Sequence, residues 1–340
     1  MARIDTLSHF LTDVANAIRS KTGGNSSIPA SDFDTEINSI LSTDYYFNTA
    51  PTMQSPTMIK LIKKVPVIDL SNTTSAAYLY QNFSELTEVP LLDTSHIVTM
   101  GSMFYGCTHL TAAPLYNTSS VTSMNQMFSG CSDLTTIPLF NTSKVTTMGS
   151  MFYGCTHLTA APLLDTSSVT NMSSMFYGCG DLTTIPQFNT SSLTNANQMF
   201  NKCSSLTDVP LIDTSKVTNI GAMFQQCTSL VNAPALDFSK VTTAANAFNG
   251  CTNLVNVPLL DFSSVPGNNA TDSMLYMFRG CPNLSNESLN NILKMCANAT
   301  SYASTYKTLN RMGLTFAQAQ ICTTLSNYQS FVDAGWTTGY

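Results

Sequence analysis

The sequence predicts an α/β solenoid: about nine stacked coils of 24 residues, with a helical N-terminal segment and a helical C-terminal cap. Three observations predict it. Prolines recur at an unbroken 24-residue step, at Pro66, Pro90, Pro114, Pro138, Pro162, Pro186, Pro210, Pro234 and Pro258. Cysteines keep the same step from Cys107 through Cys131, Cys155, Cys179, Cys203 and Cys227 to Cys251, and Cys281 follows after 30. Each unit also carries two hydrophobic periods, one of strand type and one of helix type. A short coil cannot bury two apolar faces by itself, so neighbours must stack to give one continuous core.

The elements follow in chain order. In residues 1–44, Leu7, Phe10, Leu11, Val14 and Ile18 fall at helical spacing, and Phe33, Ile37 and Ile40 repeat the pattern after Pro29. This hairpin has too little core to stand alone, so it reads as an attachment segment, with 45–56 as a connector. Residues 57–284 are the solenoid. There Leu134, Ile137 and Leu139 give the L-x-x-L-x-L pattern of a leucine-rich-repeat strand, repeated by Leu206, Val209 and Leu211. Met148, Met151, Phe152 and Cys155 fall at i, i+3, i+4 and i+7, which predicts a short return helix. A proline within a strand removes a ladder donor, so the strand must end near it. Asn141-Thr142-Ser143 and Asp165-Thr166-Ser167 then supply turn chemistry, because Asx and Ser side chains bond nearby backbone. Gly101–Leu115 and Gly149–Leu163 are identical, a sign of duplication of a two-coil unit, and six extra residues enter near Pro266-Gly267-Asn268-Asn269. Residues 285–340 return to helical spacing (Leu289, Ile292, Leu293, Cys296, then Leu309, Leu314, Phe316 and Leu325) and read as the cap a solenoid needs for solubility.

Composition narrows the function. Only 10% of residues are charged, against about 25% in ordinary globular chains. With 40 Ser, 46 Thr and 29 Asn, the surface must be built from hydroxyls and amides. The net charge of −6 and the lack of any Lys/Arg run exclude the footprint of a nucleic-acid binder. No stretch reaches the roughly 18 apolar residues of a membrane span. The N-terminus lacks the basic start and apolar core of a secretory signal. Eight of the ten cysteines occupy one buried position per coil and read as small hydrophobes in a column, as expected in a reducing cytosol, while Cys296 and Cys322 either pair or pack. No C-x-x-C supports zinc. Asp213, Asp237 and Asp261 stack either as a weak calcium row or as turn caps; Asn at the same position in other coils favours caps. No catalytic constellation, cofactor site or metal site emerges, and the expectation is a binding protein rather than an enzyme.

Candidate ligand-binding residues lie on two strips. Thr135, Thr136, Thr183 and Thr184 occupy outward strand positions. Tyr116, Phe140 and Phe188, two residues after their prolines, either complete an aromatic-and-hydroxyl strip suited to sugar rings or a protein partner, or pack under the turn. Tyr105, Tyr153 and Tyr177, each before Gly-Cys, form a second strip on the return side. His109 and His157 hold equivalent positions two coils apart, about 10 Å at strand spacing and too far to share a metal. They read as surface polar residues within reach of a ligand.

The unit Thr166-Ser-Ser-Val-Thr-Asn-Met-Ser-Ser-Met-Phe-Tyr-Gly-Cys179 resembles the BspA-type leucine-rich repeat of bacterial surface proteins, over roughly 57–284. The start, Leu11-Thr-Asp-Val-Ala-Asn-Ala-Ile-Arg-Ser-Lys-Thr-Gly23 with Asp32-Phe33 and Glu36-Ile37, is similar to the opening of tail-fibre and minor tail proteins of phages of Gram-positive gut bacteria. The resemblance implies a phage or prophage tail fibre, assembled in the host cytoplasm and carried on the virion. Its repeats would bind a cell-surface glycan or protein, and its residues 1–44 would join tail or baseplate proteins. The alternative it implies is a surface adhesin. No nucleic-acid partner or membrane insertion is expected, and a homo-oligomer is compatible with either reading.

Overall fold

The computed structural model describes residues 63–65, 67–268, 271–299 and 306–340; the predicted attachment segment (1–44) and connector (45–56) lie outside them. The coils stack in parallel at a register of one repeat. Ser75, Thr99, Ser123, Thr147, Asn171, Asn195, Asn219 and Thr243 form one unbroken row of parallel bridges. A second row pairs Ala112 with Thr136, Ala160 with Thr184, and Asn232 with Asn256. The strands predicted from the leucine pattern thus contract to single bridges. Pro138 follows Thr136 by two residues and has no N–H with which to continue the ladder.

The predicted return helix is corrected. Met148, Met151, Phe152 and Cys155 are all fully buried, as the spacing required, yet the segment is a string of turns. Met148, Ser150, Phe152 and Gly154 donate their N–H groups across to Asn171, Ser173, Met175 and Tyr177 of the next coil, at 2.7–3.0 Å. The residues between reach back three positions, as Met151 N–H does to Met148 O at 3.2 Å. An α-helix spends its N–H groups on carbonyls four residues back in the same segment, whereas here every second one goes to the neighbouring coil. Two left-handed residues per coil, Ser150 (φ 54°) and Gly154 (φ 70°), turn the backbone so that it alternates in this way.

Inside the coils runs a column of nine stacked rings, Tyr80 followed by Phe104, Phe128, Phe152, Phe176, Phe200, Phe224, Phe248 and Phe278, with successive centroids 5.4–5.8 Å apart. The thiols form a parallel column. Cys131 Sγ donates to Phe104 O and Cys155 Sγ to Phe128 O, each at 3.1 Å, and the pattern continues to Cys281 and Phe248 O. All ten cysteines are buried free thiols, so Cys296 and Cys322 pack rather than pair. Burial pushes Cys131, Cys227 and Cys281 up to about 12 and Cys322 to about 11. Outside, exposed Thr146, Thr170, Thr194, Thr218 and Thr242 each donate Oγ1–H to a carbonyl one coil back. That bonding accounts for a surface of hydroxyls in place of charges.

At the insertion, β1 (Gly267–Asn268) pairs antiparallel with β2 (Thr271–Asp272). The expected cap is present as α1 (Asn286–Asn298), α2 (Leu309–Met312), α3 (Phe316–Cys322) and α4 (Tyr328–Asp333). It acts as a substitute coil. Tyr276 and Phe278 N–H, which would otherwise reach another repeat, donate to Arg311 and Met312 O at 2.6 and 2.9 Å. Gln318 Nε2 donates to Cys281 O at 2.8 Å, and Ser288 Oγ accepts from Val257 N–H at 2.8 Å. Gly313 (φ 87°) lets the chain approach so closely that a Cβ there would lie 2.5 Å from Arg279 N.

Gly313→Ala should therefore destabilise the cap by at least about 1–2 kcal/mol, the cost of an L-residue in the left-handed region. Fluorescence of Trp336, the single tryptophan and 1% exposed, should report this as a lower unfolding midpoint in urea. The thiols define an alkaline limit. Because burial raises them, the stability that depends on their protonated form is complete below about pH 8.5, the unfolded thiol value. It should be lost as pH rises through about 12. Circular dichroism against pH would check this, with thiol-reactive dye uptake expected only on unfolding.

Candidate functional site

After each proline the chain runs extended, and side chains alternate between core and solvent. Leu139, Asn141 and Ser143 point out; Phe140 and Thr142 point in. This corrects one expectation and decides between two others. Leu139, read as a core leucine of the strand, is 70% exposed, while Tyr116, Phe140 and Phe188, candidates for a binding strip, are 2–6% exposed. They pack under the turn, their rings 6.2–6.4 Å from Phe104, Phe128 and Phe176. The reason is the proline, which ends the bridge and shifts the alternation by one residue. Inward Thr142 is also built in, donating to Asp165 O at 2.9 Å.

The outward residues make three parallel columns. The first is apolar: Leu91, Leu115, Leu139, Leu163 and Leu211 are 62–70% exposed, with Val67 and Leu259 in the same row. The second is Asx, from Asp69 and Asp93 through Asn117, Asn141, Asp165 and Asn189 to Asp213, Asp237 and Asp261; the third is Ser. Asn141 Oδ1 accepts from Ser143 N–H at 3.2 Å and Asp165 Oδ1 from Ser167 N–H at 3.0 Å. Asp213, Asp237 and Asp261 accept from Ser215, Ser239 and Ser263 N–H in the same way, which makes them turn caps. Hydrogen bonds from the Ser167 side chain and backbone hold the Asp165 carboxyl below its ordinary range, and Ser215 and Ser239 do the same for Asp213 and Asp237. Among the described residues, no group of three or more His, Cys, Asp or Glu is placed to hold a metal.

The leucine column escaped the sequence reading. Its signal was Gln187 and Ala235, which stand in the leucine row; a core position does not take glutamine. The threonine positions are exposed as expected at Thr135, Thr136, Thr183 and Thr184. Thr135 and Thr183 spend their hydroxyl protons on Thr111 and Thr159 O, at 3.3 and 3.1 Å.

On the return side Tyr153 and Tyr177 stack at 4.5 Å, and Lys202 Nζ lies 5.3 Å over the Tyr177 ring. Tyr105 is set apart from them, since Ser129 occupies the row between Tyr105 and Tyr153. His109 and His157 meet through Asp133: His109 Nδ1 is 3.1 Å from Asp133 Oδ2, His157 Nδ1 is 3.6 Å from Oδ1, and Glu85 Oε1 is 3.5 Å from His109 Nε2. This Glu-His-Asp-His row was not anticipated. The candidate residues thus fall into three patches on different segments of the coil.

The sequence matches the family described as "Mycoplasma protein of unknown function, DUF285" over residues 72–163 and 159–262, and the chain belongs to that family. No protein of curated function matches. Among solved structures, the chain is similar to a leucine-rich-repeat protein of T. pallidum, at 22% identity over 58% of this chain and 77% of that one, with a TM-score of 0.33. It is also similar to an internalin of Listeria monocytogenes, at 15% identity over 85% and 86% of the two chains, with a TM-score of 0.30.

The two neighbouring positions make opposite predictions. Leu139→Ser should change stability by no more than about 0.5 kcal/mol, as surface substitutions do. Phe140→Ala, which empties a site beneath the turn, should cost about 3–5 kcal/mol. Urea denaturation of the two variants reads the difference.

Proposed function

We propose that this DUF285 chain is a receptor-binding protein that recognises a bacterial cell surface through the exposed face of its repeats, without catalysing a reaction. The observation that carries this reading is the leucine column, unbroken from Leu91 to Leu163 and more than 60% exposed at each position. Contiguous exposed apolar surface on a soluble domain marks an interaction site, and the flanking hydroxyls and carboxylates supply the polar rim of an interface.

In its finer form the proposal is a phage or prophage tail fibre, supported by the tail-like residues Leu11–Gly23. Residues 1–44 would hold the chain to tail or baseplate proteins, and assembly in the reducing host cytoplasm accords with ten free thiols. The second reading, a bacterial surface adhesin, is favoured by the repeat unit itself, which resembles that of BspA-type surface proteins. The same face would serve either protein.

Labelled protein should bind a restricted set of strains in a panel of Gram-positive gut bacteria. Loss of binding after periodate treatment of the cells would identify a glycan receptor, and loss after protease a protein one. Leu115→Ser, Leu139→Ser and Leu163→Ser combined should weaken binding at least tenfold while leaving the circular dichroism unchanged. Failure of the folded wild-type protein to bind any strain would overturn the reading. Co-sedimentation of the chain with phage particles supports the tail fibre, and recovery from the cell envelope without particles supports the adhesin.

A further inference from the structure

We infer that the column of exposed leucines is a seat for a basic amphipathic α-helix of a protein partner, laid along the solenoid axis. The inference rests on the receptor-binding reading and gives that site a specific occupant. The first argument is spacing. Parallel bridges beside the leucines space adjacent coils at about 4.8 Å, the core rings repeat every 5.4–5.8 Å, and one turn of an α-helix rises about 5.4 Å. Side chains at i, i+3, i+4 and i+7 of a helix, which sit about 5–6 Å apart, therefore stay close to successive leucines over several coils. An extended strand places same-face side chains about 6.6 Å apart and drifts out of register within a few coils. The run from Val67 to Leu163 covers four intervals, about 19–22 Å, which about 13–15 helical residues span at 1.5 Å each.

The second argument is charge. Beside the leucines stands the Asx column, which carries Asp69, Asp93, Asp165, Asp213, Asp237 and Asp261 and no base. The Ser column has none either; Lys144, Lys216 and Lys240 stand one residue beyond it. Hydrogen bonds from Ser95 hold Asp93 below its ordinary range, and those from Ser167 do so for Asp165, so both ends of the Leu91–Leu163 run carry a negative charge at neutral pH. A second copy of this chain would bring the same carboxylates face to face, and like charges across an interface oppose association. A helix with an apolar stripe flanked by Lys or Arg meets the face with opposite charge. Leucine side chains also offer a sugar neither a ring face nor a hydrogen bond, so this column favours polypeptide.

The test is fluorescence anisotropy of the full chain with three synthetic peptides of about 16 residues. One is a Leu/Lys amphipathic helix, the second has Glu in place of every Lys, and the third alternates Leu and Lys as an extended strand. The Leu/Lys helix should bind at least tenfold more tightly than either of the others. Leu115→Ser with Leu139→Ser should lower that affinity at least tenfold; because net charge is unchanged, this separates the seat from general attraction of a basic peptide to an acidic protein. Asp93→Asn with Asp165→Asn should weaken binding several-fold and flatten its salt dependence. The fold should be kept, since Asn already holds the same turn at Asn117 and Asn141. Equal binding of the Lys and Glu helices, or binding indifferent to the leucine substitutions, would overturn the inference. So would a dimer of the wild-type chain in sedimentation that the leucine substitutions dissociate. A chain that binds bacteria but none of the peptides removes the helix seat and leaves the receptor reading standing. One that binds the helix but no cell keeps the seat and overturns the cell-surface reading.

Discussion

Everything in this protein depends on the hydrogen bonds that pass from one coil to the next on the return side. Met148, Ser150, Phe152 and Gly154 each hand their N–H to the following coil, and the same four positions do so along the stack. These bonds set a register of one repeat, and the ring and thiol columns follow from it. A Phe must lie over a Phe, and a Cys must reach the carbonyl of the Phe residue in the coil before. Such a structure has only nearest-neighbour contacts, so its last coil needs a partner of its own. The cap provides it by presenting Arg311 and Met312 carbonyls where a further coil would have placed the next pair.

The arrangement has a conformational cost. Each coil places two residues in the left-handed region, and the second is glycine at Gly106, Gly130, Gly154, Gly178, Gly250 and Gly280 but Asn82 in the first described coil and Lys202 and Gln226 in two adjacent ones. A non-glycine residue there costs about 1–2 kcal/mol, which the inter-coil bonds on either side offset. Lys202 gains a place over the Tyr177 ring from that strained position. The exposed threonines reinforce the same register from outside, each hydroxyl tied to a carbonyl one coil back. Charged residues are few because the polar surface is already engaged in holding the stack.

Repetition turns single residues into columns. An outward position becomes a row of identical side chains at a fixed spacing, and a partner meets the row rather than any one residue. The proposed seat for a helix is one such row, with a rim of carboxylates running beside it. Where the row is interrupted, at Gln187 and Ala235, the surface changes character, so in the proposed seat the interruptions would set where along the axis a partner sits.

The period of 24, the stacking, the buried thiol column, the Asx-Thr-Ser turn, the place of the insertion and the helical C-terminal end were all legible in the sequence, because each depends on residue type at a spacing. Met148, Met151, Phe152 and Cys155 also declared correctly that they face the core. Their backbone was not legible, since an i, i+3, i+4, i+7 pattern says which side chains are buried and not where the N–H groups go. Only stacking decides that half of them leave the coil, and it replaces a helix with turns. The same holds at the proline. The leucine pattern suggested that Leu139 is inside, and Phe140 stood between two readings. The extended run after Pro138 settled both by shifting the alternation one residue, burying Phe140 and exposing Leu139. Spacing along the chain determined the repeat and its core; which side of a turn faces solvent was decided by contact with the neighbouring coil, which a one-dimensional pattern does not contain.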